Sequence, residues 1–179
     1  EPIAGCTVFT IPNTIFIDYG VQSFIDQMPS SVISVWTSSA NQSKVDWENK
    51  GYRVKADVGV TDNDIIIHLR SENIYGYMFI GHGASQSIIN TYSHLGADMS
   101  GLGPDRYTTY GIAFLVLKAC YSADLMPVPG SNYRYNAWTS NVSTKGRFIG
   151  YEGSVNMLNE IFLWTSAPGL NNFPYSTNY

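Results

Sequence analysis

Short apolar runs separated by polar segments recur along most of the 179-residue chain. Runs of four to eight apolar or alternating residues, bounded by Gly, Ser, Asn or Asp, are typical of β-strands. Such runs predict strands at residues 32–38 (VISVWTS), 52–58 (YRVKADV), 75–81 (YGYMFIG), 112–119 (IAFLVLKA) and 147–153 (RFIGYEG). The run at 112–119 is the most apolar of these and predicts a strand at the centre of a sheet.

Helical features mark three of the segments between or after these runs. Residues 41–51 are polar and close on Gly51, residues 61–71 open on cap residues, and residues 154–169 carry apolar residues on one face. Capping residues at the start and glycine at the end are typical of helix boundaries. The alternation of strands and helices predicts an α/β fold, a three-layer sandwich with a mostly parallel central sheet flanked by helices.

The remaining segments are less regular. Residues 7–20 (TVFTIPNTIFIDYG) alternate enough to predict a hairpin or an edge strand, and residues 84–110 are rich in Gly, Ser and Thr, which predicts a loop region with a short helix or hairpin. We interpret residues 1–179 as a single domain, with residues 1–31 as the N-terminal segment, the core at 32–169 and a tail at 170–179. No repeat or low-complexity linker divides it.

Composition narrows the possible partners. Hydrophobic residues make up 44% of the chain, enough for one buried core, and the charge is sparse, with 10 basic and 14 acidic residues. Without a basic patch, nucleic acid and anionic membrane surfaces are not expected partners. No apolar stretch reaches the roughly 18 to 20 residues that span a bilayer. The chain starts at Glu1 rather than Met, so we expect a soluble part of a larger polypeptide, secreted or translocated with it; the sequence does not assign a compartment.

Two of the predicted strands end in residues with reactive side chains. His82 follows the apolar run of 75–81, and Cys120 follows the run of 112–119. Reactive groups collect at the carboxyl ends of parallel strands, so neighbouring strands would place the imidazole and the thiol at one crevice. A thiolate that attacks a carbonyl and a histidine that moves protons suffice for covalent acyl transfer. Taken alone, each residue is more often structural: a lone cysteine in an apolar run is usually buried in the core, and a lone histidine usually caps or packs.

Gly83 adds a further part of the same chemistry. A glycine directly after the histidine lets the main chain approach a substrate closely, and its N–H can point at a developing oxyanion. The amide of Cys120 is the natural second donor of such an oxyanion hole. Cys6 and Cys120 are too few for a disulfide framework and lack the spacing of a zinc site, while a single bridge between the two stays open.

The segments YMFIGHG and FLVLKACYS together resemble the two-block pattern of the caspase-like cysteine peptidases of clan CD. In that group, which includes caspases, metacaspases, legumains, gingipains, clostripain, separases and autoprocessing toxin domains, one apolar strand ends in His-Gly. The next ends in a small residue and the nucleophilic cysteine, with Gly or Ser often two places later. Here Ala119, Cys120 and Ser122 occupy those positions, and the order of elements from about residue 32 to 153 is also similar.

The resemblance implies a thiol protease in which Cys120 forms a thioester acyl-enzyme and His82 transfers protons, without a metal or organic cofactor. It also implies that the residue two before the cysteine lines the primary specificity pocket. That residue is Lys118, where several families have Asp, Glu or Gln, so cleavage after Arg or Lys is not expected if Lys118 points into the pocket. Asp124 is the alternative pocket charge, either by neutralising Lys118 or by replacing it.

The expected partner is therefore a protein or peptide substrate. Three alternatives stay open on the same fold. The dyad can serve another acyl transfer, such as transpeptidation or deamidation, because the acyl-enzyme is shared and only the acceptor differs. The domain can be a caspase-like scaffold or regulatory module without turnover. It can also be a self-processing, effector or toxin domain of a larger protein.

Overall fold

The computed structural model describes residues 11–21, 29–84, 87–92, 99–103, 105–127, 129–131 and 134–151. Their centre is a five-stranded sheet made of β1 (Thr14–Val21), β2 (Arg53–Gly59), β3 (Ile74–Ile80), β7 (Ile112–Lys118) and β10 (Val142–Ile149). The strand order is β2, β1, β3, β7, β10, and every neighbouring pair is parallel. The predicted α/β fold with a mostly parallel central sheet is thus confirmed.

The two helices α1 (Ser30–Glu48) and α2 (Asp62–Leu69) cover opposite faces of this sheet. On the α1 face, Ile15 and Ile17 of β1 belong to a cluster against which Trp47 packs. On the α2 face, Phe16 clusters with the buried Ile65 of α2. Successive side chains of a strand point to opposite faces, so one apolar run supplies both layers of the core.

The helix predicted at 61–71 forms and is capped as its first residues indicate. The hydroxyl of Thr61 accepts a hydrogen bond from the Asp64 amide, and the Asp64 carboxylate accepts one of 2.8 Å from the Thr61 amide. This capping box satisfies two main-chain donors at the start of α2. The predicted helix at 41–51 also forms, as the second half of α1, and the left-handed Gly51 follows it with a φ of 87°.

Smaller elements fill the connections. Between β3 and β7 lies an antiparallel sheet of β4 (His82–Ala84), β5 (Ser87–Tyr92) and β6 (Met99–Leu102). The hairpin of β5 and β6 confirms one of the two structures expected for residues 84–110. Between β7 and β10 lie the short strands β8 (Met126–Pro127) and β9 (Arg134–Tyr135) and a 3₁₀ helix at Ala137–Asn141.

The predicted strand at 32–38 is wrong: these residues lie in α1. Its β-branched residues favour a strand, but the apolar positions 32, 35 and 36 have helical spacing, which continues without a break into the polar segment after it. Propensity is the weaker of the two signals, and tertiary packing overrides it.

The expectation of a hairpin or edge strand in the N-terminal segment is also wrong for β1, which lies between β2 and β3 inside the sheet. Its consecutive residues Ile15, Phe16 and Ile17 are all buried, as in a parallel strand covered on both faces. The other predicted strands form, although the last begins earlier than expected, at Val142. The predicted helix at 154–169 and the tail at 170–179 lie outside the described residues.

Within the described residues, none of the helices combines the length and the apolar character needed to cross a membrane.

Candidate active site

The carboxyl ends of β3 and β7 lie side by side in the middle of the sheet. The two strands pair in register up to Ile80 and Lys118, and the Gly81 amide donates a 3.1 Å hydrogen bond to the Lys118 carbonyl. His82 and Cys120 each follow two residues later. The expectation that the two strands are parallel neighbours is therefore confirmed. The strand order reverses between β1 and β3, one strand position away from the β3–β7 pair that precedes His82 and Cys120.

Gly83 brings the two segments into direct contact. It lies in β4, where His82 pairs with Ile89 of β5. A β-carbon added at Gly83 would overlap the carbonyl oxygen of Cys120 and come within 2.8 Å of the Ala119 β-carbon. Only glycine permits this approach, so the His-Gly pair is held against the peptide that precedes the thiol.

The side chains of His82 and Cys120 are both half-buried. Burial lowers the pKa of His82 from its ordinary 6.5, because the surrounding protein disfavours the charged imidazolium. His82 is therefore neutral at neutral pH. A neutral imidazole is the form that can accept a proton from a thiol.

A tight turn follows Cys120. Tyr121 has a φ of 58°, a left-handed conformation that costs a residue with a side chain about 1 to 2 kcal/mol. The Ser122 amide donates to the Ala119 carbonyl at 3.3 Å, and the Asp124 amide donates to the Tyr121 carbonyl at 3.2 Å. The main chain thus reverses directly after the cysteine, which leaves Cys120 at the tip of its strand.

Ser122 fastens this turn to the end of β10. The side chain is fully buried, and its hydroxyl donates to the Leu117 carbonyl at 2.9 Å while it accepts from the Tyr151 amide at 3.1 Å. The Tyr151 carbonyl in turn accepts from the Ala123 amide at 2.9 Å. Ser122, the small residue two places after the cysteine, therefore links the ends of β7 and β10 by hydrogen bonds.

Asn136 holds the same turn from the other side. Its buried side-chain amide donates to the carbonyls of Ser122 at 2.7 Å and Asp124 at 3.0 Å, and its oxygen accepts from the Trp138 amide at 2.9 Å. All the polar atoms of this side chain are engaged. Asn136 and Ser122 together offset the strain of Tyr121 and fix the position of the main chain that carries Cys120.

The two predicted pocket charges lie in different environments. Lys118 is 2% exposed, inside the sheet, whereas Asp124 is half-buried in the turn after the cysteine. Lys118 pairs with Ile80 across β3, which places its main chain directly before the candidate dyad. The role of either residue in substrate binding stays a prediction.

A second polar cluster lies on the α2 face, near the free edge of the sheet. The buried Asp18 accepts hydrogen bonds from His68 Nδ1 at 2.8 Å and from the Tyr77 hydroxyl at 2.7 Å, and Asp57 lies 3.6 Å from His68 Nε2. Burial raises the pKa of Asp18 despite these bonds. Burial alone would lower the pKa of His68, but the bond to Asp18 and the charges of its carboxylate neighbours together raise it.

Sequence reasoning missed the residues that position the turn. It recognised Ser122 only as a small residue and gave no role to Asn136 or Asp18. Asn136 carries no motif, because its function depends on a fold that brings it against residues 12 and 14 positions away. Asp18 carried a usable signal, since it is a charged residue inside the apolar run TIFIDYG.

No protein-family model matches the chain, and no curated protein is significantly similar to it in sequence. The fold and the contact between Gly83 and Cys120 are therefore the observations from which its function is argued.

Proposed function

We propose that the chain is a caspase-like cysteine peptidase with a dyad of His82 and Cys120. The observation that carries the proposal is the contact of Gly83 with Ala119 and with the main-chain carbonyl of Cys120, at the ends of two parallel neighbouring strands. It makes the His-Gly and Ala-Cys segments parts of one structure.

In the proposed reaction, His82 accepts the proton of the Cys120 thiol as the sulfur attacks the carbonyl carbon of the scissile bond. The tetrahedral intermediate collapses to a thioester when His82 passes that proton to the leaving amine. His82 then takes a proton from water as its oxygen attacks the thioester; the C–S bond breaks, the acid leaves, and His82 returns the proton to the Cys120 sulfur. The amides of Gly83 and Cys120 are the proposed donors to the oxyanion, each worth about 3 to 4 kcal/mol in such sites.

The turn after the cysteine supports the same role. An attacking sulfur must be held within a few tenths of an ångström of its productive position, on rigid elements and with supporting hydrogen bonds. Ser122 and Asn136 supply those bonds, and the left-handed Tyr121 directs the chain away from the sulfur.

The proposed substrate is an extended peptide within a protein, with a preference against Arg and Lys before the scissile bond if Lys118 contributes to the specificity pocket. Lys118 is buried, so it would act through its charge and through the shape of the pocket floor. A peptide-library profile dominated by Arg or Lys would contradict this preference without contradicting the dyad.

The decisive experiment compares the intact chain with its Cys120→Ala variant on a whole-cell lysate, followed by sequencing of the new protein N-termini. We expect cleavage that depends on Cys120 and His82 and that survives the matched control Cys6→Ala. The variants must keep the far-UV circular dichroism and thermal midpoint of the parent. Equal termini with and without Cys120 would overturn the proposal.

Two further readouts separate the alternatives on this fold. Iodoacetamide should alkylate Cys120 faster than free cysteine near pH 7, because in the proposed dyad His82 accepts the thiol proton as the sulfur attacks; a rate no faster than that of free cysteine would indicate a scaffold. Mass spectrometry of treated peptides distinguishes hydrolysis, which adds one water at a cleaved bond, from deamidation or transpeptidation, which leave different masses.

A further inference from the structure

Three side chains that the proposed peptidase chemistry does not use converge between β1, β2 and α2. One potential ligand atom from each of Asp18, Asp57 and His68 lies within 4.8 Å of the other two. Asp18 and Asp57 are register partners on the parallel strands β1 and β2, so their side chains stand on the same face of the sheet. His68 projects onto them from α2. The three residues therefore come from three different elements that the fold brings together.

The two nitrogens of His68 have different surroundings. Nδ1 lies 2.8 Å from Asp18 Oδ2, the length of a good hydrogen bond, whereas Nε2 lies 3.6 Å from Asp57 Oδ2, too far for one. When Nδ1 carries the hydrogen donated to Asp18, the lone pair of a neutral ring is on Nε2, which lies 3.6 Å from Asp57 Oδ2. Carboxylates use the first of these bonds to orient histidines that bind metals through the other nitrogen.

The gap between His68 Nε2 and Asp57 Oδ2 has the size that a metal ion requires. Zinc binds histidine nitrogen and carboxylate oxygen at about 2.0 to 2.2 Å, so two ligand atoms 3.6 Å apart subtend an angle of about 120° at the ion. This angle suits four-coordinate or five-coordinate zinc. Asp57 is 53% exposed, so the site opens to solvent and water can complete the coordination.

The buried carboxylate of Asp18 favours positive charge nearby. Asp18 is fully buried, yet its Oδ1 atom has no hydrogen-bond partner among the described residues. A buried carboxylate with an unsatisfied oxygen is costly unless a cation lies close to it. An ion held by His68 Nε2 would not contact Asp18 Oδ1; its charge would act across the ring and strengthen the hydrogen bond from Nδ1 to the Asp18 carboxylate.

We propose that His68 Nε2 and Asp57 form a binding site for a divalent transition-metal ion of the zinc type, with Asp18 as the residue that orients His68. The ion would join β2, the edge strand of the sheet in the described residues, to helix α2 on the α2 face, near the carboxyl ends of the strands, where Asp18 is level with Phe79 of β3. One neighbour weakens the site: the Lys55 ammonium lies 5.5 Å from the Phe16 ring centroid, and Phe16 stacks on His68. The affinity is therefore below that of a four-ligand structural zinc site.

The test uses the full chain without its two thiols, Cys6→Ala with Cys120→Ala, because thiolates bind zinc independently. Zinc titration by calorimetry should give one site per chain, and zinc should shift the ring ¹⁵N resonances of His68, which are resolvable because the chain has three histidines. Asp57→Asn should weaken binding at least about tenfold, since it removes a direct ligand, and Asp18→Asn should weaken it by about 10-fold to 100-fold.

Glu72→Gln is the matched control, because Glu72 is an exposed carboxylate just after α2, and its affinity for zinc should equal that of the parent. Asp57 is largely exposed, so Asp57→Asn should fold even where Asp18→Asn does not. The zinc affinity of Asp57→Asn therefore tests the proposal without the Asp18 variant. Absence of saturable zinc binding would overturn the proposal, as would equal affinity of Asp57→Asn and Glu72→Gln, or shifts confined to His82 and His94. None of these outcomes depends on peptidase activity.

Discussion

Gly83 packs against the main chain of Cys120 so closely that a β-carbon at position 83 would overlap the Cys120 carbonyl oxygen. The relationship links the first residue after the candidate base to the candidate nucleophile. It also explains why position 83 is a glycine, which the sequence analysis related only to substrate approach and the oxyanion hole. Position 83 requires a glycine first of all because two protein segments pack against each other there. A hydrogen bond from the Gly83 amide to an oxyanion would be an additional role.

The first prediction concerns that contact. Gly83→Ala should destabilise the fold by about 1 to 3 kcal/mol, because overlapping main-chain atoms must move apart. It should also slow the reaction of Cys120 with iodoacetamide by displacing the sulfur. Urea denaturation and alkylation rates measure the two effects. Gly103→Ala is the matched control, since a β-carbon there meets nothing within 4 Å, and similar behaviour of the two variants would refute the packing argument.

The second prediction concerns Asn136, whose side chain holds the turn after Cys120 by hydrogen bonds. Asn136→Ala leaves the carbonyls of Ser122 and Asp124 and the Trp138 amide without their partner, so we expect a loss of about 2 to 4 kcal/mol in the free energy of unfolding. Asn136→Asp keeps the acceptor for Trp138 but removes the donors. It should still lose most of the activity, whereas a purely helix-capping role would leave it active.

The control for both Asn136 variants is Ser140→Ala, in the same 3₁₀ helix. The Ser140 hydroxyl makes an exposed bond to the Ala137 carbonyl, so its removal should change the unfolding free energy by less than about 0.5 kcal/mol. Chemical denaturation of the three variants, with peptide hydrolysis measured under native conditions, gives both quantities. An Asn136→Ala variant as stable and active as Ser140→Ala would show that Asn136 does not hold the turn.

The third prediction concerns pH. Because burial lowers the pKa of His82, the acidic limb of kcat/KM should lie below pH 6.5: protonation removes the base, and it happens only at lower pH than for an exposed histidine. NMR titration of the histidine rings in metal-free buffer measures the groups directly. His68 is the internal comparison, because its pKa is raised and it should titrate above 6.5. A His82 midpoint above that of His68 would contradict the electrostatics of the site.

The sequence predicted the parts of this fold in which periodicity and propensity agree. The runs at 75–81 and 112–119 are apolar at nearly every position, so the prediction of β3 and β7 is confirmed. At 32–38 the two signals conflict, and the β-branched residues favoured a strand where the spacing favoured the helix α1. For β1, the apolar run was recognised but its central place in the sheet was not, because strand order depends on long-range pairing.

The candidate site likewise has parts that the sequence predicts and parts that it does not. His82, Gly83 and Cys120 follow strands, so their relative placement could be inferred from the rule that parallel strands end at a common edge. The turn geometry could not, since it depends on Asn136 reaching back to Ser122 and Asp124, and on the left-handed Tyr121. No local pattern distinguishes such an asparagine from one in an exposed loop.

The last prediction concerns Tyr121. Its φ of 58° is favourable for glycine, tolerated by asparagine and unfavourable for β-branched residues. Tyr121→Gly should therefore be at least as stable as Tyr121→Asn, and Tyr121→Val should be less stable than Tyr121→Gly by about 1 to 2 kcal/mol. The glycine and valine variants both lose the contacts of the Tyr121 ring, so those contacts cancel in the comparison. If the turn positions the thiol, the alkylation rate of Cys120 should fall in the same order; equal stability of the glycine and valine variants would show that the turn is not held left-handed.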